Sequence, residues 1–357
     1  MYRRPSRSPR SLKPDHAALK HNERINKMTT MDTLPGKFLV RPPKMDDLEA
    51  VLAVINACDL ADDGMLDHTL DELRAFWQSP DFNLDTDAWL VSTSEGRIVG
   101  TADVDRHHVR IYSFIRVHPD YRGRGIEPEL LHLTEARAQQ LVALAPSHAR
   151  VTLGNWISPV DNTTRQLLEQ AGYKLVRKFW RMEKVLDRAA PVPAWPAGIT
   201  VHNLVVGKEE RTVYEMAEEA FQDHWGNQPS TYEEFEHWHM KRDGFDPTLW
   251  FLAFDGDQLA GAILCEYQKD MNLGWVGQLA VRRPWRRKGL GNALLLHAFA
   301  EFYRRGIHKV GLGVDSQNLT GATRLYEKVG MHVALEHNTY EKELRAGEEL
   351  STQSVTM

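Results

Sequence analysis

The chain has 357 residues, of which 42% are hydrophobic and 26% charged, and a formal net charge of −5. The length predicts two domains, and the slightly acidic balance argues against a nucleic-acid partner. Its two cysteines, Cys58 and Cys265, are too few for a disulfide framework, so we expect a reducing, cytoplasmic environment. No apolar run approaches the roughly 20 residues that span a membrane, and we expect no membrane partner.

The chain begins with a basic segment, residues 1–36, in which Arg, Lys, Ser and Pro are frequent. Such a composition buries too little apolar surface to offset the entropy of folding, and it predicts a disordered tail. Residues 346–357 are also polar and are predicted to form a second disordered tail.

Between these tails the sequence repeats itself, with residues 37–188 resembling residues 199–345. The matching stretches are 88–91 with 250–253, 97–100 with 258–261, 117–125 with 281–289, and 167–173 with 325–331. Because this period is as long as a domain, we predict two tandem domains rather than a solenoid. The proline-rich stretch 189–198 is the predicted linker.

Each half has the pattern of strand, helices, three strands, helix, strand, helix and strand. This order predicts an α/β fold of the α+β type, with a central mixed sheet flanked by helices in each half.

In the second half, a short apolar strand at 275–281 runs into the basic turn Arg286–Gly291. A helix follows, in which Leu294, Ala298 and Phe302 recur every fourth residue and predict one buried face. A helix start presents unpaired N–H groups and the positive end of the helix dipole. With glycines to let an anion approach, this turn predicts a pyrophosphate site.

The turn RRKGLG fits the R-x-x-G-x-G pattern of the GCN5-related N-acetyltransferases, the GNAT superfamily. Downstream, V-D-S-Q-N and A-T-R-L-Y-E-K-V-G-M resemble the later motif of that superfamily, in the right order and at the right distance. The resemblance covers roughly Ile199 to Leu344. It implies a sheet whose central strands splay apart, acetyl-CoA as co-substrate, and direct attack by an amine in a ternary complex.

The resemblance also implies which residues bind the cofactor. Backbone N–H groups of the strand before the turn would hold the acetyl carbonyl and the pantetheine arm. Asn318 would bind the cofactor as well, although Asn at this point equally predicts a helix N-cap. The implied cofactor-binding residues are Leu279, Ala280, Val281, Arg286, Arg287, Lys288, Gly289, Leu290, Gly291, Asn292, Asn318 and Tyr326.

Two residues are candidates for acid–base catalysis. Tyr326 matches the family tyrosine that protonates the departing thiolate, and its alternative role is to pack its helix on the sheet. Many members carry a glutamate near the start of the strand before the turn, where this chain has Trp275. Glu266 on the preceding strand is the nearest substitute as general base, acting through water, and otherwise is a solvated strand-end carboxylate. Asp315 ends the next strand and is either near the cofactor or a turn residue.

The first half lacks what the second retains. Glu127 and Pro128 stand where the second half has Gly291 and Asn292, and Leu168 replaces Tyr326. A carboxylate at the helix start is favourable for the helix dipole and repels a pyrophosphate. We therefore predict that the first half is catalytically silent.

The acceptor would contact the segment from Phe221 to Met240, which is rich in aromatic and titratable residues. His237 and His239 point to different helix faces, so no metal site is predicted. The expected acceptor is a primary amine of a small molecule or peptide, bound by a monomer or homodimer. The layout is similar to the mycothiol synthase group, and an aminoglycoside-type acceptor is an alternative. The unmatched base position leaves a non-catalytic acyl-CoA sensor as a further hypothesis.

Overall fold

The computed structural model describes residues 33–34, 38–318 and 321–353. Most of the predicted tail 1–36 lies outside the described residues. Thr33 and Leu34 form strand β1 (Thr33–Leu34), which pairs antiparallel with β2 (Phe38–Arg41).

The first half follows the predicted order of elements. Its further elements are α1 (Leu48–Asp62), α2 (Leu70–Trp77), the short α3 (Leu84–Asp87), β3 (Ala88–Ser92), β4 (Ile98–His107), β5 (Arg110–Val117), α4 (Ile126–Leu141), β6 (Val151–Ile157), α5 (Asn162–Gln170) and β7 (Lys174–Val185).

The second half repeats this order after the linker 189–198, which contains neither helix nor strand. Its elements are β8 (Ile199–Asn203), α6 (Glu210–Phe221), α7 (Tyr232–His239), β9 (Trp250–Asp255), β10 (Gln258–Gln268), β11 (Leu273–Val281), α8 (Leu290–Arg304), β12 (Lys309–Asp315), α9 (Ala322–Lys328) and β13 (His332–Arg345). The repeated order confirms the predicted fold class.

The described strands form one sheet, in which each half places its last strand in the other. The strand order is β1-β2-β3-β4-β5-β6-β13-β7-β12-β11-β10-β9-β8. Thus β7 of the first half pairs antiparallel with β12 of the second, and β13 lies between β6 and β7 and pairs antiparallel with both. Main-chain hydrogen bonds therefore join the two halves. The predicted boundaries at 37–188 and 199–345 divide the sequence, whereas the sheet is continuous across them.

Helix α8 packs its predicted face on the sheet, since Leu294, Ala298 and Phe302 are fully buried. Phe302 lies against Gly274 of β11, where an added Cβ would stand 2.7 Å from the phenyl ring. A glycine near the start of this strand therefore lets the helix approach the sheet closely.

The C-terminal segment is held in place as far as Gln353, in contrast to the disorder that its composition predicts. The Gly226 amide donates to the Thr352 carbonyl (2.6 Å), and the Thr352 amide donates to Asn227 (3.1 Å). Further back, Glu348 forms a bridge with Ala149. The tail gains order because its main chain finds partners in both halves. Residues 354–357 lie outside the described residues.

Candidate active site

The central feature of the second half is a gap between two parallel strands. β11 and β12 pair only from Gly274 opposite Val310 to Val276 opposite Leu312, although both strands continue further. Beyond that point they diverge, and a cavity of about 530 Å³ opens between them. The splay implied by the family resemblance is confirmed.

A β-bulge lies on the cavity wall, where β11 starts to diverge. The register between β10 and β11 shifts between Leu264 and Cys265, which leaves Gly277 as the extra residue on β11. Gly277 is exposed and lines the cavity. A bulge redirects main-chain groups away from the ladder, so this part of β11 can present N–H groups to a ligand. The corresponding β4–β5 ladder runs without a register shift through its described pairs.

The glycine turn starts helix α8 and adjoins this cavity. Gly289 is the N-cap, with a φ of 89° that favours glycine. Helix α8 begins at Leu290, so its first N–H groups have no intrahelical acceptors. At Gly291 an added Cβ would lie 3.2 Å from Leu325 and 3.9 Å from Leu279. Leu279 lines the cavity and so connects the helix start with the gap.

Three cationic side chains surround the turn, and one of them is used internally. Arg286 donates to the carbonyl of Val281 (2.9 Å) and to a carbonyl at the end of α6 (3.0 Å). Its first-half counterpart, Arg122, makes the same type of bond to β5. These bonds hold the turn on the sheet, and a contact of Arg286 with the cofactor stays a prediction. The exposed cations of the turn are Arg287 and Lys288.

The equivalent turn of the first half is filled by its own side chain. The amide of Gly123 donates to the carboxylate of Glu127 (3.0 Å), and that glutamate is only 3% exposed. Pro128 removes a further N–H group from this helix start. Leu168, in place of Tyr326, is fully buried in the apolar core. The first half therefore has neither an open anion site nor a hydroxyl at this point.

Tyr326 lies on α9 and lines the cavity. It is 8% exposed, and burial raises its pKa to about 12. The phenol thus holds its proton throughout the physiological range, as a proton donor must. Tyr326 also has the alternative packing role, because it belongs to the apolar core of the second half.

Asn318 lines the cavity and is not the cap of the next helix. The N-cap of α9 is Gly321, so the capping alternative is wrong. Asp315 lines the cavity and is also a turn residue, since it accepts from the Gln317 amide (2.9 Å) and pairs with Arg177 (2.9 Å). A contact of Asp315 with the cofactor stays a prediction.

The implied strand donors differ in position. Leu279 is on the cavity wall. All three stay in the ladder with β10, and Ala280 and Val281 are not among the residues that line the cavity. Their part in cofactor binding stays a prediction.

Glu266 does not line the cavity. Its carboxylate pairs with Arg242 (3.1 Å) and accepts from Gln268 (3.1 Å), and burial raises its pKa. Gln268, which does line the cavity, also donates to Glu72 (3.0 Å). Glu266 is thus separated from the cavity by Gln268. A catalytic role for Glu266 stays a prediction.

Much of the cavity wall comes from segments that local sequence motifs did not indicate. The first half contributes the loop between α1 and α2, the first turn of α2, the end of β6, and β7, and the exchanged strand β13 adds a histidine. These residues are Asp67, Glu72, Trp156, Phe179, Trp180, Arg181 and His337. No local spacing signals them, because strand exchange between the halves brings them to the site.

The predicted acceptor segment contributes Phe221, His224 and Trp225 to the wall. His237 instead bonds a carbonyl of α2 (2.9 Å), and His239 accepts from Gln278 (3.1 Å). Burial lowers the pKa of His239 to about 4, so its imidazole is neutral. Among the residues that the structure describes, no group of three or more His, Cys, Asp and Glu side chains is arranged to hold a metal ion.

Comparison with known proteins agrees with the GNAT resemblance of the sequence. Residues 211–331 match the Acetyltransferase (GNAT) family. The chain is 30% identical to the mycothiol acetyltransferase of Thermobispora bispora over 224 residues, which cover 60% of this chain and 70% of that protein. It is 29% identical to the mycothiol acetyltransferase of Streptomyces scabiei over 218 residues, 60% of this chain and 66% of that protein.

Solved structures of GNAT proteins share the fold over most of the chain. A GCN5-related N-acetyltransferase from Sphaerobacter thermophilus is 38% identical with a TM-score of 0.76, covering 90% of this chain and all of that chain. A tandem GNAT protein from the clavulanic acid biosynthesis pathway shares the fold at 18% identity, with a TM-score of 0.61, covering 87% of this chain and all of that chain.

The fold and the relatives define an acyltransferase of tandem GNAT layout. The chain belongs to the GNAT acetyltransferase family, and it is similar to the mycothiol acetyltransferases. Within the described residues, no helix is long and apolar enough to cross a membrane.

Proposed function

We propose that the cavity of the second half transfers an acetyl group from acetyl-CoA to a primary amine of a small molecule, and that the first half has no such activity. The observation that carries this proposal is the contrast between two equivalent helix starts. One is open beside a gap in the sheet, and the other is filled by Glu127.

The residues present fit acetyl-CoA. The N–H groups at the start of α8 and the exposed cations Arg287 and Lys288 would bind its pyrophosphate. The gap between β11 and β12 would take the pantetheine arm, with main-chain donors near Gly277 and Leu279 and the side chain of Asn318 along it. Bound acetyl-CoA supplies an activated acetyl thioester.

The chain would then supply polarisation and a proton. Main-chain N–H groups of β11 beside the bulge would stabilise charge on the acetyl oxygen. Tyr326 would donate the proton that the departing sulfur requires, and its raised pKa keeps that proton available at neutral pH.

The acceptor would lie over the aromatic part of the wall, which includes Trp156, Phe179 and Trp225. A cavity of about 530 Å³ has the size of a small-molecule site. The similarity to mycothiol acetyltransferases supports an acceptor of that type. An aminoglycoside-type amine is the alternative, because Trp275 stands where the family often has a carboxylate.

Calorimetric titration with acetyl-CoA tests the proposal. We expect one site per chain and a loss of affinity of at least about tenfold in Gly291→Glu, which copies the change found in the first half. Gly291→Ala is the matched control, since it adds the same Cβ beside Leu325 without the charge and should bind much more tightly than the glutamate variant. Two equal sites per chain, or full affinity in Gly291→Glu, would contradict the assignment. Binding without turnover of any amine would favour an acyl-CoA sensor.

A further inference from the structure

We propose that His337, oriented by Asp67, is the general base that accepts a proton from the acceptor amine. This inference rests on the proposed acetyl transfer in the second half. It supplies the base that the strand before the glycine turn lacks, and it gives the first half a role in the chemistry.

The geometry is that of a histidine–carboxylate dyad on the cavity wall. Nε2 of His337 lies 3.0 Å from Oδ2 of Asp67, and both side chains are 19% exposed. Both residues line the cavity. The negative carboxylate of Asp67 beside Nε2 favours the tautomer that carries its proton on Nε2 and leaves Nδ1 to accept one.

Asp67 is itself held in place from the other side. Nη1 of Arg181 donates to Oδ1 of Asp67 (2.6 Å) and to the carbonyl of Leu66 (2.9 Å). A second pair with Glu183 (2.7 Å) fixes the same guanidinium. Burial alone would raise the pKa of Asp67, but its hydrogen bond to His337 and the neighbouring positive charges hold that pKa well below its usual range. Each carboxylate oxygen thus has its own partner, and Asp67 stays ionised when His337 takes up a proton.

The position of His337 suits an acceptor lying on the sheet. His337 on β13 is opposite Phe179 on β7, which is opposite Asp315 on β12. Residues directly opposite one another share a face of the sheet, and strands are about 4.8 Å apart. The main chain at His337 is therefore about 10 Å, or two strand spacings, from β12, which forms one edge of the gap. An amine placed over Phe179 lies between the base and the acetyl group, within reach directly or through one water.

The proton balance is complete with these groups. The acceptor ammonium loses one proton to Nδ1 of His337, and the neutral amine forms the C–N bond. As the C–S bond breaks, the sulfur takes a proton from Tyr326, and the second amine proton replaces the one that Tyr326 gave up. The proton on His337 then passes to solvent, so one proton is released in each turnover.

Other charged groups near His337 must be considered in any pH profile. Asp63 and Asp67 lie near it in the segment after α1, and Arg181 on β7 pairs with Asp67. His68 lies beyond Asp67 and pairs with Asp59 (3.0 Å). The other cavity histidine, His224, forms no ion pair with a carboxylate among the described residues, and burial lowers its pKa although Asp315 and Asp223 are nearby.

The test is the pH dependence of kcat/KM in His337→Gln, with the best acceptor from a panel of amino sugars and amino-acid amides. In the wild type we expect kcat/KM to fall below neutral pH and to level off above it. In His337→Gln we expect about a 100-fold loss at pH 7 that shrinks steadily towards pH 9, because the amine must then lose its proton to solvent. A merely structural role would lower the rate equally at every pH.

Asp67→Asn keeps the shape of the side chain and should give a smaller loss with the same change of profile. Acetyl-CoA affinity and the unfolding midpoint establish that each variant is folded. An unchanged pH profile of kcat/KM in His337→Gln overturns the proposal. The proposal also fails if kcat/KM no longer falls at low pH in His224→Gln. If wild-type protein with intact acetyl-CoA binding turns over no amine, the proposed acetyl transfer itself fails. If turnover depends on Tyr326 but not on His337, only the dyad fails.

Discussion

Two residues at the same position in the two halves, Glu127 and Gly291, distinguish a helix start closed by a carboxylate from an open one. In the first half the carboxylate accepts the Gly123 amide, so the positive end of the helix is already compensated. In the second half no side chain stands there. In the first half Pro128 removes a further donor, so two changes separate this helix start from the open one, and α4 still forms.

The hydroxyl of Tyr326 is the second residue-scale feature with a direct test. In Tyr326→Phe the ring that packs in the core remains and the proton donor is lost. We expect kcat to fall at least tenfold with little change in the affinity for acetyl-CoA. Tyr173→Phe is the control, because Tyr173 is also a buried tyrosine but belongs to the first half, and its loss should leave kcat unchanged. Equal kcat in wild type and Tyr326→Phe would remove Tyr326 from the mechanism.

At the scale of elements, periodicity and turn chemistry predict much of the fold. The apolar spacing at Leu294, Ala298 and Phe302 correctly predicts the buried face of α8, and the basic glycine turn correctly marks its start. The bulge at Gly277 was not predictable, because it depends on the register between β10 and β11 rather than on either strand alone. The sequence predicts helix caps only in part. By residue type Asn318 is an equally good N-cap candidate for α9, but Gly321 is the N-cap in the structure.

The close approach of α8 to β11 predicts a stability effect at Gly274. We expect Gly274→Ala to destabilise the protein by about 1–3 kcal/mol, because its Cβ would enter the ring of Phe302. Gly277→Ala on the same strand is the matched control, since its nearest contact would be 3.5 Å away. It should change the free energy of unfolding by less than about 0.5 kcal/mol. Denaturant unfolding measures both, and equal effects in the two variants would contradict this account of the packing.

At the scale of the whole molecule, the site belongs to both halves. Short motifs located the turn, Asn318 and Tyr326, because these residues are close in sequence and tied to one helix start. They did not locate Asp67 or His337, which lie in segments far apart along the chain. Those residues meet because β13 pairs with β6 and β7, and pairing between distant strands leaves no signature in a single sequence.

Strand exchange also predicts how the molecule responds to a cut. If a protease site is placed in the linker 189–198 and cleaved, we expect the two fragments to elute together in gel filtration. They should also unfold in one transition by fluorescence and circular dichroism alike. The reason is that β7 and β13 each complete the sheet of the other half. Fragments that separate without denaturant, or two distinct transitions, would contradict this interlocked arrangement.

The exchange has a consequence for the gene as well as for the protein. A duplicated sequence can ordinarily return to a single copy by deletion. Here a deletion of either copy would remove an inner strand from the survivor and leave an unpaired edge, which favours aggregation. The first copy therefore supplies a strand that the second copy uses, whatever its own chemistry, and truncated reading frames should yield protein that cells degrade.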